Sequence, residues 1–391
     1  MEITLSSDQK NALDQMMEWW GNPEAKLLTL GGFAGTGKST LLAEFRTLLP
    51  SSYSVAFCTF TGKASTVIYK KLKGADSLFS SDTCGTIHSL IYEPVLDDDD
   101  IIVDWILKTS LTAQLIIIDE ASMVNEELFK DIRSFGLKVL AVGDHGQLPP
   151  IGGSLNLMDN PHIKLEKIHR QAEENPIIQL SLMARLDGYI PYGTFGNSAA
   201  KVPPKDPMIN TFINNTKNFN ETAILCGFNK TRVDLNKRIR IKFKFPRNDP
   251  IIGDRVICLQ NNKDANIYNG LTGTLIDIKK MSSYYRAEIK MDGYNKHYIG
   301  PIMSDAFNAV KPDLNDRDRI HFYPGDGSGP SYQYPDVFDY GYCLSVHKSQ
   351  GSEWNRILLI EQRCSYWEGE NWNRWLYTAV TRASEQLLIV G

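Results

Sequence analysis

The run Gly32-Phe33-Ala34-Gly35-Thr36-Gly37-Lys38-Ser39 places a lysine and a hydroxyl residue directly behind the second of two glycines separated by four residues. Glycines at that spacing let backbone N–H groups turn inward on an anion. Lys38 can then reach the β and γ oxygens of a nucleoside triphosphate, and the Ser39 hydroxyl can hold Mg²⁺. The residues expected to hold ATP here are Gly32, Gly35, Thr36, Gly37, Lys38, Ser39 and Thr40. Two further acidic residues, Asp119-Glu120, follow the apolar run Leu115-Ile116-Ile117-Ile118. Of such a pair, one carboxylate can bind the metal while its neighbour, pointing elsewhere, polarises the attacking water. Asp119 is assigned to Mg²⁺ and Glu120 to the base. Gln147, in Gly143-Asp144-His145-Gly146-Gln147-Leu148-Pro149-Pro150, can hydrogen-bond the γ-phosphate or that water. Arg170 and Arg382 carry the planar cation that suits the spread charge of phosphoryl transfer. Alone, each reads as a surface ion-pair partner; the company of the other motifs assigns them to the site.

The elements that must position these groups alternate. Leu27–Leu30 reads as a strand, followed by the glycine loop and a helix from about Lys38 to Leu49; the helix aims its positive end at the anion. Val55–Thr59, Leu115–Ile118 and Val139–Val142 are further buried strands, which predicts a parallel α/β sheet. Three polar motifs sit directly behind predicted strands, where such sheets carry their chemistry. A second α/β unit is predicted from strands at Ala223–Cys226, Ile357–Ile360 and Leu387–Val390. It is interrupted between about 250 and 335 by short antiparallel strands at Asp254–Leu259, Gly273–Ile278 and Arg286–Lys290, which read as a small β-barrel. Pro301 to Pro335, rich in Gly, Pro, Asp and Tyr, reads as loop. Between about 93 and 112 a hairpin is predicted, its tip formed by Asp97-Asp98-Asp99-Asp100; the four aspartates read as a solvated turn.

With 391 residues, two or three domains are expected. The 42% apolar and 23% charged residues are ordinary for a globular chain. No stretch reaches the roughly 18 apolar residues that a membrane span needs, and the first residues lack a basic region followed by an apolar run, so a cytoplasmic location is expected. The six cysteines, at 58, 84, 226, 258, 343 and 364, form no C-x-x-C pair and are expected to be small buried hydrophobes. A net charge of −4 does not by itself announce a nucleic-acid partner, although steering depends on where charges lie rather than on their sum.

Taken in order along the chain, these motifs resemble those of superfamily 1 helicases, in the branch that includes RecD and the phage helicase Dda. Thr59-Phe60-Thr61-Gly62-Lys63-Ala64 and Thr86-Ile87-His88 resemble strand-binding motifs. Tyr342 to Glu353, reading YCLSVHKSQGSE, resembles this branch's signature, and Tyr377-Thr378-Ala379-Val380-Thr381-Arg382-Ala383 closes the set. The resemblance spans about residue 5 to the end. It implies an α/β chain of two RecA-like parallel-sheet domains, the first over 1–92 and 113–175 and the second over 176–249 and 336–391. It also implies a pin-like hairpin insertion at 93–112 and an SH3-like β-barrel insertion with loop at 250–335. Gln9 would read adenine, and Gly351 and Glu353 would face the nucleotide. Thr61, Lys63, His88, His347 and Lys348 would lie along single-stranded DNA. Arg170 and Arg382 would act from across the cleft. The implied activity is ATP-dependent unwinding with 5′-to-3′ translocation. Its partners would be single-stranded and fork DNA and replication or recombination proteins, and its working form a monomer. Phe60 departs from the family, standing where a small residue or proline is commoner.

Three other readings stay open on the sequence. They are a single-strand translocase that strips bound proteins, a non-motor DNA-binding subunit of a recombination complex, and a phosphate-loop kinase or switch protein. The second α/β unit argues against the last.

Overall fold

The computed structural model describes every residue except 1–4, 97–101, 150–154, 169–173, 217, 246–248, 263–264, 266, 268, 294–296, 314–318, 323–330 and 364–367. Alternation inside the apolar runs dictates the first layer. In Leu115–Ile118 all four side chains are buried, Leu115 and Ile117 in one core and Ile116 and Ile118 in another. A strand apolar on both faces must lie in a sheet covered on both sides. That sheet has six strands, all parallel, in the order Thr83–Thr86, Val55–Thr59, Leu115–Ile118, Lys138–Gly143, Leu27–Gly32, Ile163–Leu165. The helices Ser7–Gly21, Lys38–Leu48 and Gly62–Gly74 cover one face through Met16, Phe45 and Ile68, while Leu128 and Ile132 of Glu126–Ser134 cover the other.

A second six-stranded sheet runs Cys343–Ser345, Thr222–Cys226, Trp354–Ile360, Ala383–Val390, Ala199–Val202, Gly193–Phe195, parallel except for the last pair. The helices Pro176–Asp187 and Glu370–Val380 share one of its cores, with Trp372 and Trp375 stacked at 5.1 Å. Phe212 and Ile239, from Pro207–Asn214 and Asn229–Lys242, enter the other. The edge strands of both sheets are only three or four residues long, too short to carry the apolar periodicity by which the central strands are legible in sequence.

Between the strands of the second sheet lies a five-stranded antiparallel sheet, ordered Tyr298–Met303, Tyr284–Met291, Thr272–Lys280, Arg255–Cys258, Phe338–Tyr340. A bridge between Ile302 and Asp336 ties one edge strand to the residues leading into the other. This sheet shares a single core with the second unit. Val256, Leu275 and Phe338 pack with Ile224, Leu358 and Val390. Buried ion pairs Arg232–Asp339 and Arg240–Asp254 fasten the helix Asn229–Lys242 to it.

Two sequence expectations are corrected. The expected second domain resumes at residue 336, but Phe338–Tyr340 pairs with Arg255–Cys258 of the inserted sheet, and the second sheet resumes only at Cys343. A three-residue apolar strand suits either sheet, so only its partner decides. The stretch 301–335 is not wholly loop: Pro301–Met303 completes a strand, and Ile320–Phe322 pairs with Ser331–Gln333. Tyr92–Leu96 and Ile102–Leu107 pair antiparallel, while the four-aspartate tip lies outside the described residues. Cys58, Cys226, Cys258 and Cys343 are buried thiols and Cys84 is half-buried; Cys364 is also outside the described residues.

Arg46 and Asp82, both fully buried, hold the first unit's edge. Asp82 accepts from Arg46 Nε (2.9 Å) and Nη2 (3.0 Å) and from the backbone N–H groups of Val55 (3.1 Å) and Phe79 (3.0 Å). Removing one partner of such a pair leaves a charge without water or counter-ion. Asp82→Ala is therefore expected to cost about 3–5 kcal/mol of unfolding free energy, read from urea denaturation; a loss below about 1 kcal/mol would show that water reaches Arg46.

Candidate active site

The glycine loop leaves the end of Leu27–Gly32 and enters the helix Lys38–Leu48 through Gly37, whose φ of 79° lies in the left-handed region. A side chain at that position would strain the entry, so glycine is what lets the helix begin directly under the loop. Lys38 Nζ donates to the carbonyls of Gly32 (2.6 Å) and Phe33 (3.1 Å). Thr36 Oγ1 donates to Phe33 O (2.8 Å), and Ser39 Oγ accepts from Lys71 Nζ at 3.4 Å. The loop is one wall of a cleft of about 750 Å³. Ser39, Thr40, Asp119, Glu120 and Gln147 line it from the first unit, and Gly351, Glu353 and Arg382 from the second. Eleven-residue helix, loop N–H groups and lysine together make a cradle for anionic phosphates.

The acidic pair follows from the strand that precedes it. Asp119 N–H donates to Cys58 O (2.9 Å), extending the sheet pairing by one residue, and Asp119 Oδ1 accepts from Glu120 N–H (3.0 Å). Glu120 is forced to φ 58°, a conformation costly for a side chain of this size. Its carboxyl Oε2 is buried without a hydrogen-bond partner. Burial pushes the Glu120 carboxyl above the usual carboxylate range. Arg382 and Lys38 pull it back down, and Asp119 and Asp144 reinforce the rise. Gln147 Oε1, in the same wall, is likewise buried and unpartnered, while its Nε2 donates to Asp144 Oδ2 at 3.4 Å. Glu120 and Gln147 both line the cleft, where an unpartnered acceptor can take a hydrogen bond from water. The hydroxyl of Ser39 and the carboxylate of Asp119 are the hard oxygen donors that Mg²⁺ prefers, so these residues fit that ion.

Arg382 is buried and held by Thr378 O (3.1 Å), Ser352 O (3.1 Å) and Thr381 Oγ1 (3.3 Å), so it enters the cleft as a fixed cation. Gly351, with φ 66°, lies against the first unit: a Cβ there would meet Met123 Sδ at 2.3 Å, and its carbonyl accepts from Thr61 Oγ1 at 3.0 Å. Gln9 is buried beneath the loop. Its Oε1 accepts from Ser6 N–H (3.1 Å) and its Nε2 donates to Thr36 O (3.2 Å), so in this structure it caps its own helix and steadies the loop. Arg170 lies outside the described residues.

Two family profiles match the chain, an AAA domain over residues 4–188 and a UvrD-like helicase C-terminal domain over 340–390. The ATP-dependent RecD2 DNA helicase of Deinococcus radiodurans is 25% identical, over 99% of this chain and 49% of that protein. The ATP-dependent DNA helicase Pif1 of Campylobacter jejuni is 24% identical, over 91% of this chain and 86% of that one. The chain is similar to superfamily 1 helicases of the RecD and Pif1 type. It spans about half the length, or less, of the first curated relatives it matches. The fold is that of Bacteroides Pif1 helicase, solved in complex with ADP-AlF3 and ssDNA; the TM-score is 0.50 at 17% identity, covering 99% of this chain and 92% of that one.

The residues that the resemblance assigns to the nucleic acid lie on separate elements of both units. Thr61 caps the helix Gly62–Gly74, accepting from Ala64 N–H (3.2 Å), and its hydroxyl hydrogen is used on Gly351. Lys63 sits in that helix's first turn. His88 is buried between Phe60 (5.9 Å, edge-on) and Tyr92 (5.8 Å, stacked). His347 and Lys348 lie on the short helical turn Val346–Ser349, beside the five-stranded sheet. Burial lowers the His347 imidazole below its ordinary value. Burial, then Arg232, brings the Lys348 ammonium down to about 8, against the opposite pull of Cys258 and Asp339.

Sequence reasoning quoted Asp144, Tyr377, Thr378 and Gln350 within motifs but gave them no role. In the structure Asp144 anchors Gln147 and accepts from Tyr377 (2.6 Å), Thr378 Oγ1 accepts from Leu148 N–H (2.9 Å), and Gln350 Nε2 donates to Leu148 O (2.6 Å). Asp144 carried a usable signal, an aspartate directly behind a buried strand. The others meet partners some 200 residues away or more, for which no local pattern exists.

The raised Glu120 carboxyl has a stability consequence. The native state holds that proton more tightly than the unfolded chain does, so the stabilisation is present at low pH and lost as pH rises through the folded value. Glu120→Gln is expected to melt higher than wild type at pH 7, by on the order of 1 kcal/mol, and the gap should close as pH falls below the ordinary carboxylate range. A variant that melts lower at pH 7 would mean the charge is net favourable.

Proposed function

We propose that the chain is an ATP-driven DNA helicase that moves 5′ to 3′ on single-stranded DNA. One observation carries this reading: Lys38 and Glu120 stand on one sheet and Arg382 on another, across a single cleft. A triphosphate bound there touches both units, so its hydrolysis changes how they are held together. The RecD- and Pif1-type relatives, named as ATP-dependent DNA helicases, support the choice of DNA and of unwinding. Polarity, the pin-like role of Tyr92–Leu96 and Ile102–Leu107, and the barrel identity of the five-stranded sheet rest on the family resemblance.

In the proposed reaction Lys38 binds the β and γ oxygens, and Glu120 accepts the proton of the attacking water while Gln147 orients it. Arg382, and Arg170 by the family resemblance, would neutralise the charge that spreads over the transferred phosphoryl group. Mg²⁺, held by Ser39 and Asp119, would neutralise phosphate charge when bound. Gln9 would face the base, and Gly351 and Glu353 the phosphate and ribose. Loss of the γ-phosphate weakens the hold of Arg382 and lets the units separate. Two conformations with different affinity for the strand then give net movement. Thr61, Lys63, His88, His347 and Lys348 would follow the DNA backbone.

The test is ATPase rate with and without single-stranded DNA, followed by unwinding of duplexes with a 5′ or a 3′ tail. Strong stimulation and unwinding from the 5′ tail alone is the expected result. Stimulation without unwinding would favour a translocase, and absence of stimulation would sink the nucleic-acid reading. Lys38→Ala is expected to lower turnover by about a hundredfold or more while strand binding persists. Arg382→Ala should reduce kcat far more than apparent ATP affinity.

Lys348 gives a pH signature. Phosphate favours its ammonium, so above pH 8 binding must take up a proton. Affinity for single-stranded DNA is expected to fall by up to about tenfold per pH unit above 8, and Lys348→Arg should flatten that slope. An unchanged slope in the variant would remove Lys348 from the strand contact.

A further inference from the structure

Outside the groups that handle phosphate, one fully buried phenol joins the two units at the phosphate loop itself. Tyr377, on the helix Glu370–Val380 of the second unit, accepts a hydrogen bond from Ala34 N–H (2.8 Å) and donates to Asp144 Oδ2 (2.6 Å). The same Asp144 oxygen accepts from Gln147 Nε2 (3.4 Å), and Asp144 Oδ1 accepts from Gly146 N–H (2.9 Å). A single hydroxyl therefore connects the backbone of the loop to the residue that carries Gln147. Packing holds it there. The Tyr377 ring meets Phe33 edge-on at 6.2 Å, and the Arg185 guanidinium of the second unit lies over the Phe33 ring, 3.6 Å from its centroid. Phe33, although part of the loop, is buried in the second unit's core with Ile177, Leu180 and Ala184. Gly146 is confined by the same two rings, since a Cβ there would meet Phe33 at 2.9 Å and Tyr377 at 3.1 Å. Burial, with Asp144 beside it, raises the phenol far above its ordinary value, so it stays a donor throughout the working pH range.

We propose that Tyr377 is a positioning residue that clasps the phosphate loop at Phe33-Ala34 to the Asp144–Gln147 turn, so that approach of the second unit sets the alignment of Gln147 for hydrolysis. The inference rests on the ATPase reading given above. Rigid alignment is gained because Asp144 is buried and Ala34 half-buried, which limits their exchange of the hydroxyl for water; losing it leaves an amide and a carboxylate oxygen underused in the wall of the cleft. The clasp engages the loop at Ala34 and at none of the residues assigned above to the phosphates, so its effect should fall on turnover rather than on ATP affinity.

The experiment compares wild type, Tyr377→Phe and Thr378→Val. The last removes only the neighbouring bond to Leu148 N–H and so reports what loosening of the interface alone does. In Tyr377→Phe, kcat of the DNA-stimulated ATPase is expected to fall about tenfold or more, with KM for ATP within about twofold of wild type. Hydrogen–deuterium exchange at the Ala34 amide should accelerate in that variant and remain slow in Thr378→Val. The proposal is overturned by an unchanged kcat, by a rise in KM at constant kcat, or by equal effects of the two variants on both readouts. The wild-type protein supplies an arm that needs no variant to fold: fast exchange at Ala34 in it would mean that the clasp does not form. Absence of any ATP hydrolysis in wild type would sink the ATPase reading instead, with the exchange data still reporting on the clasp.

Discussion

A carboxylate withdrawn from water raises the free energy of its charged form unless cations face it, and the two cations nearest to Glu120 in effect come from different sheets. Lys38 belongs to the loop above the first sheet and Arg382 to the second unit. Much of the architecture serves that arrangement. The strand Leu115–Ile118 delivers the acidic pair to the carboxyl end of the sheet, the backbone is bent to φ 58° at Glu120, whose side chain lines the cleft, and Arg382 is immobilised by three acceptors so that it cannot fold away. Strain and desolvation are thus concentrated at one residue, as they commonly are where a side chain is held for function.

The interface between the units is built from small, directional contacts laid along the same wall. Thr61 to Gly351, Gln350 to Leu148 and Thr378 to Leu148 are single hydrogen bonds, each to backbone. Backbone partners fix distance and direction without depending on a flexible side chain at the far end. Phe33 adds the apolar component by leaving its own loop for the second unit's core.

The five-stranded sheet behaves differently. It shares a continuous core with the second unit and is fastened by buried arginine–aspartate pairs. These charges have no water to compensate them if the contact opens, so the sheet and the second unit move as one body. His347 and Lys348, on the turn between them, are thereby carried with that body.

What the sequence by itself determined are features whose cause is local. The glycine loop, the carboxylates behind a buried strand and the central strands of both sheets are contiguous, and their residue types answer to backbone freedom, hydrogen-bond donors and alternating burial within a few positions. The family resemblance extended this to residues lying in separate motifs. Tertiary structure alone decided the rest. Gln9 steadies Thr36 because the first helix packs under the loop, Phe338–Tyr340 belongs to the inserted sheet because Arg255–Cys258 is its neighbour, and Tyr377 acquires a role only when Ala34 and Asp144 arrive beside it. Each of those outcomes depends on which distant partner is brought within about 3 Å, the range over which a hydrogen bond acts, and no local pattern of residues encodes that meeting.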